Sequence, residues 1–298
     1  MDLRQLEIFA KVAELGSFSK AADALHLTQP TVSEHIRALE DELGVRLLDR
    51  LRRGASVAPA GQLLLTYATR MLALSREARQ AMSGFQGKMS GDLVVGASTI
   101  PGEYVLPALL GRFKDKYPEI AVTLLIGDSQ AVVDWVAEGR VELGVVGARL
   151  AQRSVDYREL MPDEEVVVVP PGHPWFGRKQ ILVEDLAGEP LLLRERGSGT
   201  RAALEHALAG AGVELASLRI VGEMGSTQAI KQAVKAGVGI SVISRRAIDE
   251  ETRSGALWAV RIKDVKITRS FHVAHHRDRS RSPLAEAFRV FLDTETVA

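Results

Sequence analysis

The sequence contains no cysteine among its 298 residues. That single absence removes disulfides, thiolate metal sites and cysteine nucleophiles together. Long apolar runs are also missing: stretches such as 166–171 fall far short of the roughly 20 residues that cross a bilayer. Neither sign of charge is in excess, with 38 Lys+Arg against 38 Asp+Glu, which excludes a bulk polycation. At 46% hydrophobic and 26% charged, the composition also excludes a disordered chain and a collagen-like fibre. No charged-then-apolar leader opens the chain, so the expectation is a cytoplasmic protein with no membrane partner. The length suits two or three compact domains rather than one small core.

What is present is unevenly placed. Leu3, Leu6, Phe9, Ala10 and Ala13 recur at three- and four-residue steps, predicting an amphipathic helix that ends near Gly16. Ser19 is read as the cap of a second, short helix with Ala21, Ala22 and Leu25 on its inner face. Thr28 is read as the N-cap of a third helix, whose first turn accommodates Pro30 and whose stripe is Val32, Ile36, Leu39 and Leu43. Gly44 stops it. Helix, short helix, tight turn, helix is the layout of a helix-turn-helix, here over about 18–37. Its outer side carries Gln29, Pro30, Thr31, Ser33 and Arg37, residue types that read base edges or phosphates in a major groove. A small helical subdomain with a merely wet polar face would show the same pattern. The next segment distinguishes the two: Arg46, Arg50, Arg52 and Arg53 cluster in a short hairpin, opposed locally by Asp49 alone, and such a tip lies along phosphates as a wing.

From Gly61 onward, Leu64, Tyr67, Met71, Leu74, Ala78, Ala81 and Phe85 alternate by three and four as a heptad seam. A surface helix packed on its own domain is the competing reading. Beyond Gly91, strands and helices alternate. Strands are predicted at 93–96, 120–126 and 141–146 with helices at 105–117 and 130–138, then a second unit with strands at 165–169, 191–193, 219–221 and 239–243. A strand at 268–274 and a helix at 284–292 follow. This order implies α/β architecture with parallel strands covered on both faces. In such sheets ligands sit beyond the carboxyl ends of strands. Ala97-Ser98-Thr99, Gly127-Asp128-Ser129, Gly197-Ser198-Gly199-Thr200 and Gly225-Ser226-Thr227 occupy such ends, although each serine or threonine also suits a plain N-cap.

Residues 1–60 resemble the winged helix-turn-helix of the LysR-type transcriptional regulators. The likeness is carried by Leu6-Glu7-Ile8-Phe9, Gly16-Ser17-Phe18-Ser19, Ala21-Ala22, Thr28-Gln29-Pro30-Thr31-Val32-Ser33, Ile36-Arg37-Ala38-Leu39-Glu40 and Leu43-Gly44. It continues through Leu47, Arg50, Arg52-Arg53-Gly54 and Pro59-Ala60-Gly61. Three positions depart from the family pattern: Glu34 stands where a cation is common, Ala58 where a capping threonine is usual, and Leu51 where a small polar residue is frequent. The resemblance implies a multidomain α+β chain: a winged helix-turn-helix over 1–59, a dimerisation linker helix over 60–87 and an effector-binding domain over 88–298. That last domain would be two-lobed, α/β and periplasmic-binding-protein-like, with lobe I about 91–161 and 267–298 and lobe II about 162–266, joined by crossovers near 161–163 and Lys266. The family's inducer contacts map onto Ser98, Thr99, Ser129, Gly147 and Thr200. Hydroxyl- and donor-rich ends suit a small anion or carboxylate.

The implied function is sequence-specific DNA binding modulated by a small-molecule effector. Expected partners are an operator duplex, the effector, RNA polymerase and a second copy of the chain, with dimers pairing into a tetramer. No cofactor is expected and no metal: His272 and His276 would share one strand face while His275 points away, with no acidic partner spaced for zinc. Residues 197–200 lack the Gly-Lys-Ser/Thr of a phosphate-binding NTPase loop, and no Gly-x-Ser-x-Gly elbow marks a nucleophile. Two rivals remain: a small-molecule-binding enzyme with an appended helical module, and a nucleoid-like DNA binder without effector.

Overall fold

The computed structural model describes residues 1–51, 54–84 and 89–295. They form two compact units, one built on residues up to Gly84 and the other on those from Met89.

The N-terminal unit opens with α1 (Leu3–Leu15), fixed by a reciprocal cap in which Asp2 accepts from Gln5 N–H and the Gln5 side chain accepts from Asp2 N–H. α2 (Phe18–Leu25) is capped by Ser17, not by Ser19 as the sequence reading has it. Ser17 is extended at φ −154° and so can turn its hydroxyl to Lys20 N–H, whereas Ser19 is already inside the helix. α3 (Gln29–Leu43) starts at Thr28 and ends at Gly44, whose φ of 68° suits glycine. Leu6, Ile8, Phe9, Val12, Ala21, Ala22, Val32, Ile36 and Leu39 close a core between these helices. Each fully buried large apolar side chain of this kind stabilises the fold by about 1.5–3 kcal/mol.

A hairpin follows, β1 (Leu48–Leu51) paired antiparallel with β2 (Gly54–Val57). Glu40 of α3 anchors its base: one carboxylate oxygen accepts from Leu47 N–H at 2.7 Å and Leu48 N–H at 3.1 Å. The long helix α4 (Pro59–Gly84) then starts against the same spot. Gly61 has no side chain because a Cβ there would lie 2.1 Å from the Leu47 carbonyl oxygen.

The C-terminal unit is built around one mixed sheet in the order β4-β3-β5-β12-β6-β10-β8-β9. On one side β3 (Gly91–Ser98) runs parallel to β4 (Ile120–Gly127) and β5 (Leu143–Val146). On the other, β8 (Leu191–Arg194) runs parallel to β9 (Ile220–Met224) and β10 (Ile240–Ser244). Two long antiparallel strands join these halves, β6 (Val155–Val169) and β12 (Ile267–His276), with a register shift at Phe271/His272. The sequence reading places a crossover near 161–163 and a strand only from 165. The chain instead stays extended from Val155, and the joint is a continuous strand that starts in one half and ends in the other. The short β7 (Gln180–Ile181) and β11 (Trp258–Ile262) extend the second half and were not foreseen.

Helices cover both faces of each half. In the first, α5 (Leu106–Lys116) and α10 (Pro283–Glu295) pack on one face around Phe113, Phe271 and Phe288, and α6 (Ser129–Glu138) packs on the other through Val132, Val133 and Val136. In the second, α7 (Gly199–Gly210) and α8 (Thr227–Lys235) do the same through Leu204 and Leu208 and through Ile230 and Val234. The run Val166–Val169 in β6 feeds both faces alternately, which is why it reads as continuously apolar. A short helix, α9 (Asp249–Ser254), completes the set.

Replacing Glu40 by Ala is expected to strip two backbone donors at the hairpin base and to destabilise the N-terminal unit by about 1–3 kcal/mol. Glu40→Gln, which keeps the acceptor, should retain most of that stability in a denaturant titration.

Candidate functional site

On α3, Gln29, Pro30 and Arg37 are exposed, and Thr31 and Ser33 are partly so. Gln29 Nε2 donates to Ser33 Oγ at 2.8 Å, and the Thr28 and Thr31 hydroxyls stand 2.9 Å apart. These side chains therefore form one polar surface at the helix N-terminal end. Arg37 reaches toward Asp41 at 4.0 Å with both side chains largely in water, so the pair contributes little. Arg52 and Arg53 lie outside the described residues, as does the side chain of Arg50.

On α4 two faces separate. Leu64, Leu65, Ala68 and Leu72 pack against the core of the N-terminal unit. Leu63, Tyr67, Met71, Leu74 and Met82 form an exposed apolar stripe along the helix. Of the predicted seam residues, Tyr67, Met71 and Leu74 lie in this stripe, whereas Leu64 packs against its own domain and Leu63 is exposed beside it. Ala78 is exposed. The side chain of Ala81 and all of Phe85 lie outside the described residues.

In the C-terminal unit the carboxyl ends of strands from both halves converge on a pocket of about 210 Å³, counting its open side. Ser98 and Thr99 come from the end of β3, and Asp128 and Ser129 from the end of β4 and start of α6. Ser198, Gly199 and Thr200 come from the start of α7. Of the five predicted effector residues, Ser98, Thr99, Ser129 and Thr200 line this pocket. Gly147 stands behind the wall: its N–H donates to Ser98 Oγ at 3.1 Å. A Cβ on Gly199 would approach the Gly147 carbonyl to 2.8 Å. The fourth predicted strand end contributes indirectly, because Ser226 caps α8 while buried Thr227 contacts an arginine of the pocket wall.

Two arginines that the sequence reading missed complete the lining. Arg194, last residue of β8 and 3% exposed, is held in a fork by Glu195 at 2.7 and 2.6 Å. It also donates to Thr227 Oγ1 at 2.7 Å and to Thr99 Oγ1 at 3.2 Å, so it links the second half of the sheet to the first. Arg269 of β12 donates to Thr200 Oγ1 at 3.1 Å and to Asp163 Oδ2 at 3.1 Å, and stands 3.1 Å from Glu165. An arginine ending an apolar strand, as Arg194 does in Leu191–Arg194, was the available signal for the first. Arg269 lies mid-strand and gave none.

One feature makes this pocket ready for an occupant, and a second marks the charges behind its wall. Ser129 Oγ is buried and lacks a hydrogen-bond partner among the described residues, a state that costs free energy unless something fills it. Asp163 and Glu165 share one guanidinium, and burial, reinforced by the Asp163 charge, pushes the Glu165 carboxyl up to about 8. Among the described residues, no group of histidine, aspartate and glutamate side chains could hold a metal ion, and no helix is long and apolar enough to cross a membrane.

Comparison with known proteins defines the class. Residues 3–62 match the family described as bacterial regulatory helix-turn-helix protein, lysR family, and residues 86–296 match the LysR substrate binding domain. The chain belongs to the LysR-type transcriptional regulators, DNA-binding proteins with a C-terminal effector-binding domain. Among its relatives, the "Uncharacterized HTH-type transcriptional regulator YeiE" of Escherichia coli is 36% identical over 98% of this chain and 96% of that one. A "Probable RuBisCO transcriptional regulator" of Cyanidium caldarium is 35% identical over 96% of this chain and 91% of its own length. Among solved structures, the regulatory domain of Synechocystis PCC6803 CcmR in complex with 2-PG superposes with a TM-score of 0.64 at 29% identity, covering 70% of this chain and 98% of that one.

The raised Glu165 fixes the sign of a pH effect. A carboxyl that holds its proton more tightly when folded adds stability that is full below its ordinary value of 4.5 and is lost as pH rises through about 8. Denaturant unfolding is therefore expected to show the C-terminal unit weakening between about pH 5 and pH 8, with Glu165→Gln flattening that slope.

Proposed function

We propose that this chain is a homodimeric regulator, its dimers pairing into a tetramer, that reads an operator duplex and responds to a small organic anion bound among Ser98, Thr99, Ser129, Arg194, Thr200 and Arg269. The observation that carries the effector reading is the unpartnered, buried hydroxyl of Ser129, a residue of the same lining that holds two guanidiniums. Two guanidiniums and several hydroxyls, in a lining that also holds Ile100 and the Asp128 carboxylate, favour a carboxylate or other oxyanion with donors of its own over a neutral apolar ligand. The ligand seen in the CcmR structure, 2-PG, is a first candidate. The domains follow the sequence reading: 1–59 for DNA, 60–87 for pairing and 88–298 for the effector.

The exposed stripe of Leu63, Tyr67, Met71, Leu74 and Met82 supports pairing through α4, since a contiguous apolar row in water marks an interface. Pairing sets two helix-turn-helix units on successive half-sites. Gln29 and Ser33 read bases there, with Pro30, Thr31 and Arg37 beside them, while Arg50, Arg52 and Arg53 hold phosphates. The protein acts in the cytoplasm on transcription by RNA polymerase, and no catalytic step is assigned to it.

Calorimetry on the full-length protein with small carboxylates, oxyanions and 2-PG is expected to show binding that Ser129→Ala weakens roughly tenfold, the worth of one charge-assisted hydrogen bond. Absence of binding across that panel would end the anion reading. For DNA, Gln29→Ala or Ser33→Ala should narrow the gap between operator and random duplex. Arg52→Ala or Arg53→Ala should instead weaken every duplex and lower the salt slope by about one. A Gln29→Ala protein with all base preferences intact would overturn that assignment.

A further inference from the structure

We propose that Glu34 reads sequence, accepting a hydrogen bond from a cytosine amino group in the major groove. The inference rests on the DNA binding established for the family and extends it to one side chain that the family pattern marks as a departure.

The buried stripe of α3 is Val32, Ile36 and Leu39. At 100° per residue, Glu34 lies roughly 170° around the helix from the mean direction of that stripe. It therefore occupies the middle of the outward face, whereas Ser33 sits on its flank and is partly covered. Its carboxylate is exposed and has no hydrogen-bond or ion-pair partner among the described residues. Nearby on that face, Pro30 and Ala38 offer no side-chain donor, and the Arg37 guanidinium stands toward Asp41. In this structure Glu34 therefore brings an unpaired negative charge to the face that enters a groove walled by phosphates, with Arg37 the nearest cation on the helix.

The groove itself offers few remedies. Guanine presents N7 and O6, and thymine presents O4, all acceptors that repel a carboxylate. Adenine has an amino donor, but its N7 acceptor lies beside it and faces the second carboxylate oxygen. Cytosine presents its N4 amino group without a neighbouring acceptor on the same base. A carboxylate in the first two turns of a recognition helix, where base edges are reached, is therefore satisfied best by cytosine and penalised by the other bases.

Selection from a randomised duplex library with wild-type protein, Glu34→Gln and Glu34→Ala tests this, followed by titrations on the winning duplex and its single-base variants. Wild type is expected to require a C·G pair at one two-fold-related pair of positions, with a loss of roughly tenfold on its replacement. Glu34→Gln should lose that preference or move it to adenine, which a glutamine amide pairs bidentately. Glu34→Ala should lose it while keeping the preferences at other positions and binding random duplex more tightly. Unchanged thermal melting of both variants, expected for an exposed side chain without partners, separates the effect from misfolding. If both variants tighten binding to all duplexes and keep every base preference, Glu34 merely repels phosphate and the proposal fails. A wild-type protein that selects no sequence at all would overturn operator reading itself, and this inference with it.

Discussion

The C-terminal unit depends on one constraint: β6 and β12 must run antiparallel through the middle of a sheet whose flanks are parallel. Without that pair the two flanks would be separate α/β layers, each ending in its own row of strand termini. With it, the termini of β3, β4 and β8 and the starts of α6 and α7 come to one place. The pair also carries three buried ionisable groups, Asp163 and Glu165 from β6 and Arg269 from β12, within about hydrogen-bonding reach. Ser244 Oγ donates to the remaining Asp163 oxygen at 2.7 Å, tying β10 to the same cluster. Charges taken out of water are tolerated only when paired and hydrogen-bonded, so the Asp163–Arg269 pair and the joint it sits on support each other.

The N-terminal unit solves a different problem with different means. It keeps its charged side chains at the surface and builds its core from aliphatic groups, one phenylalanine and small alanines. Ala21 and Ala22 allow α2 to cross closely under α1 and α3, which sets how far the outer face of α3 stands out from the domain. Glu40 and Gly61 then fix the hairpin and the start of α4 against that frame. The side chains that face outward on α3 are thereby held by contacts on its opposite side.

How legible each part was follows from the range of the interactions involved. Periodicity and capping are local, and α1, α3 and the stops at Gly16 and Gly44 appear in the sequence within a residue or two. The family likeness added the joining of the lobes, which pattern alone does not reach. The site was half legible: hydroxyls at strand ends obey a positional rule, and four of the five lie on the pocket wall. Arg269 obeys no such rule, because it acquires its role only from Asp163, 106 positions away. The extended course of β6 was hidden by Pro162, Asp163 and Glu164, where the sequence reading has a crossover and the partners on β12 supply the strand. The burial of Leu64 has a similar origin, since a heptad pattern records that two faces of α4 are apolar but not which of them the domain's own core claims.

The place of β12 in the chain has a cost during synthesis. The inner edge of β5 and the long flank of β6 leave the ribosome well before the strand that pairs with both. Until β12 emerges, the nascent chain displays open backbone hydrogen-bonding edges beside valine-rich faces, the sort of surface that associates with other chains. The arrival of β12 thus decides when both of these earlier strands can settle.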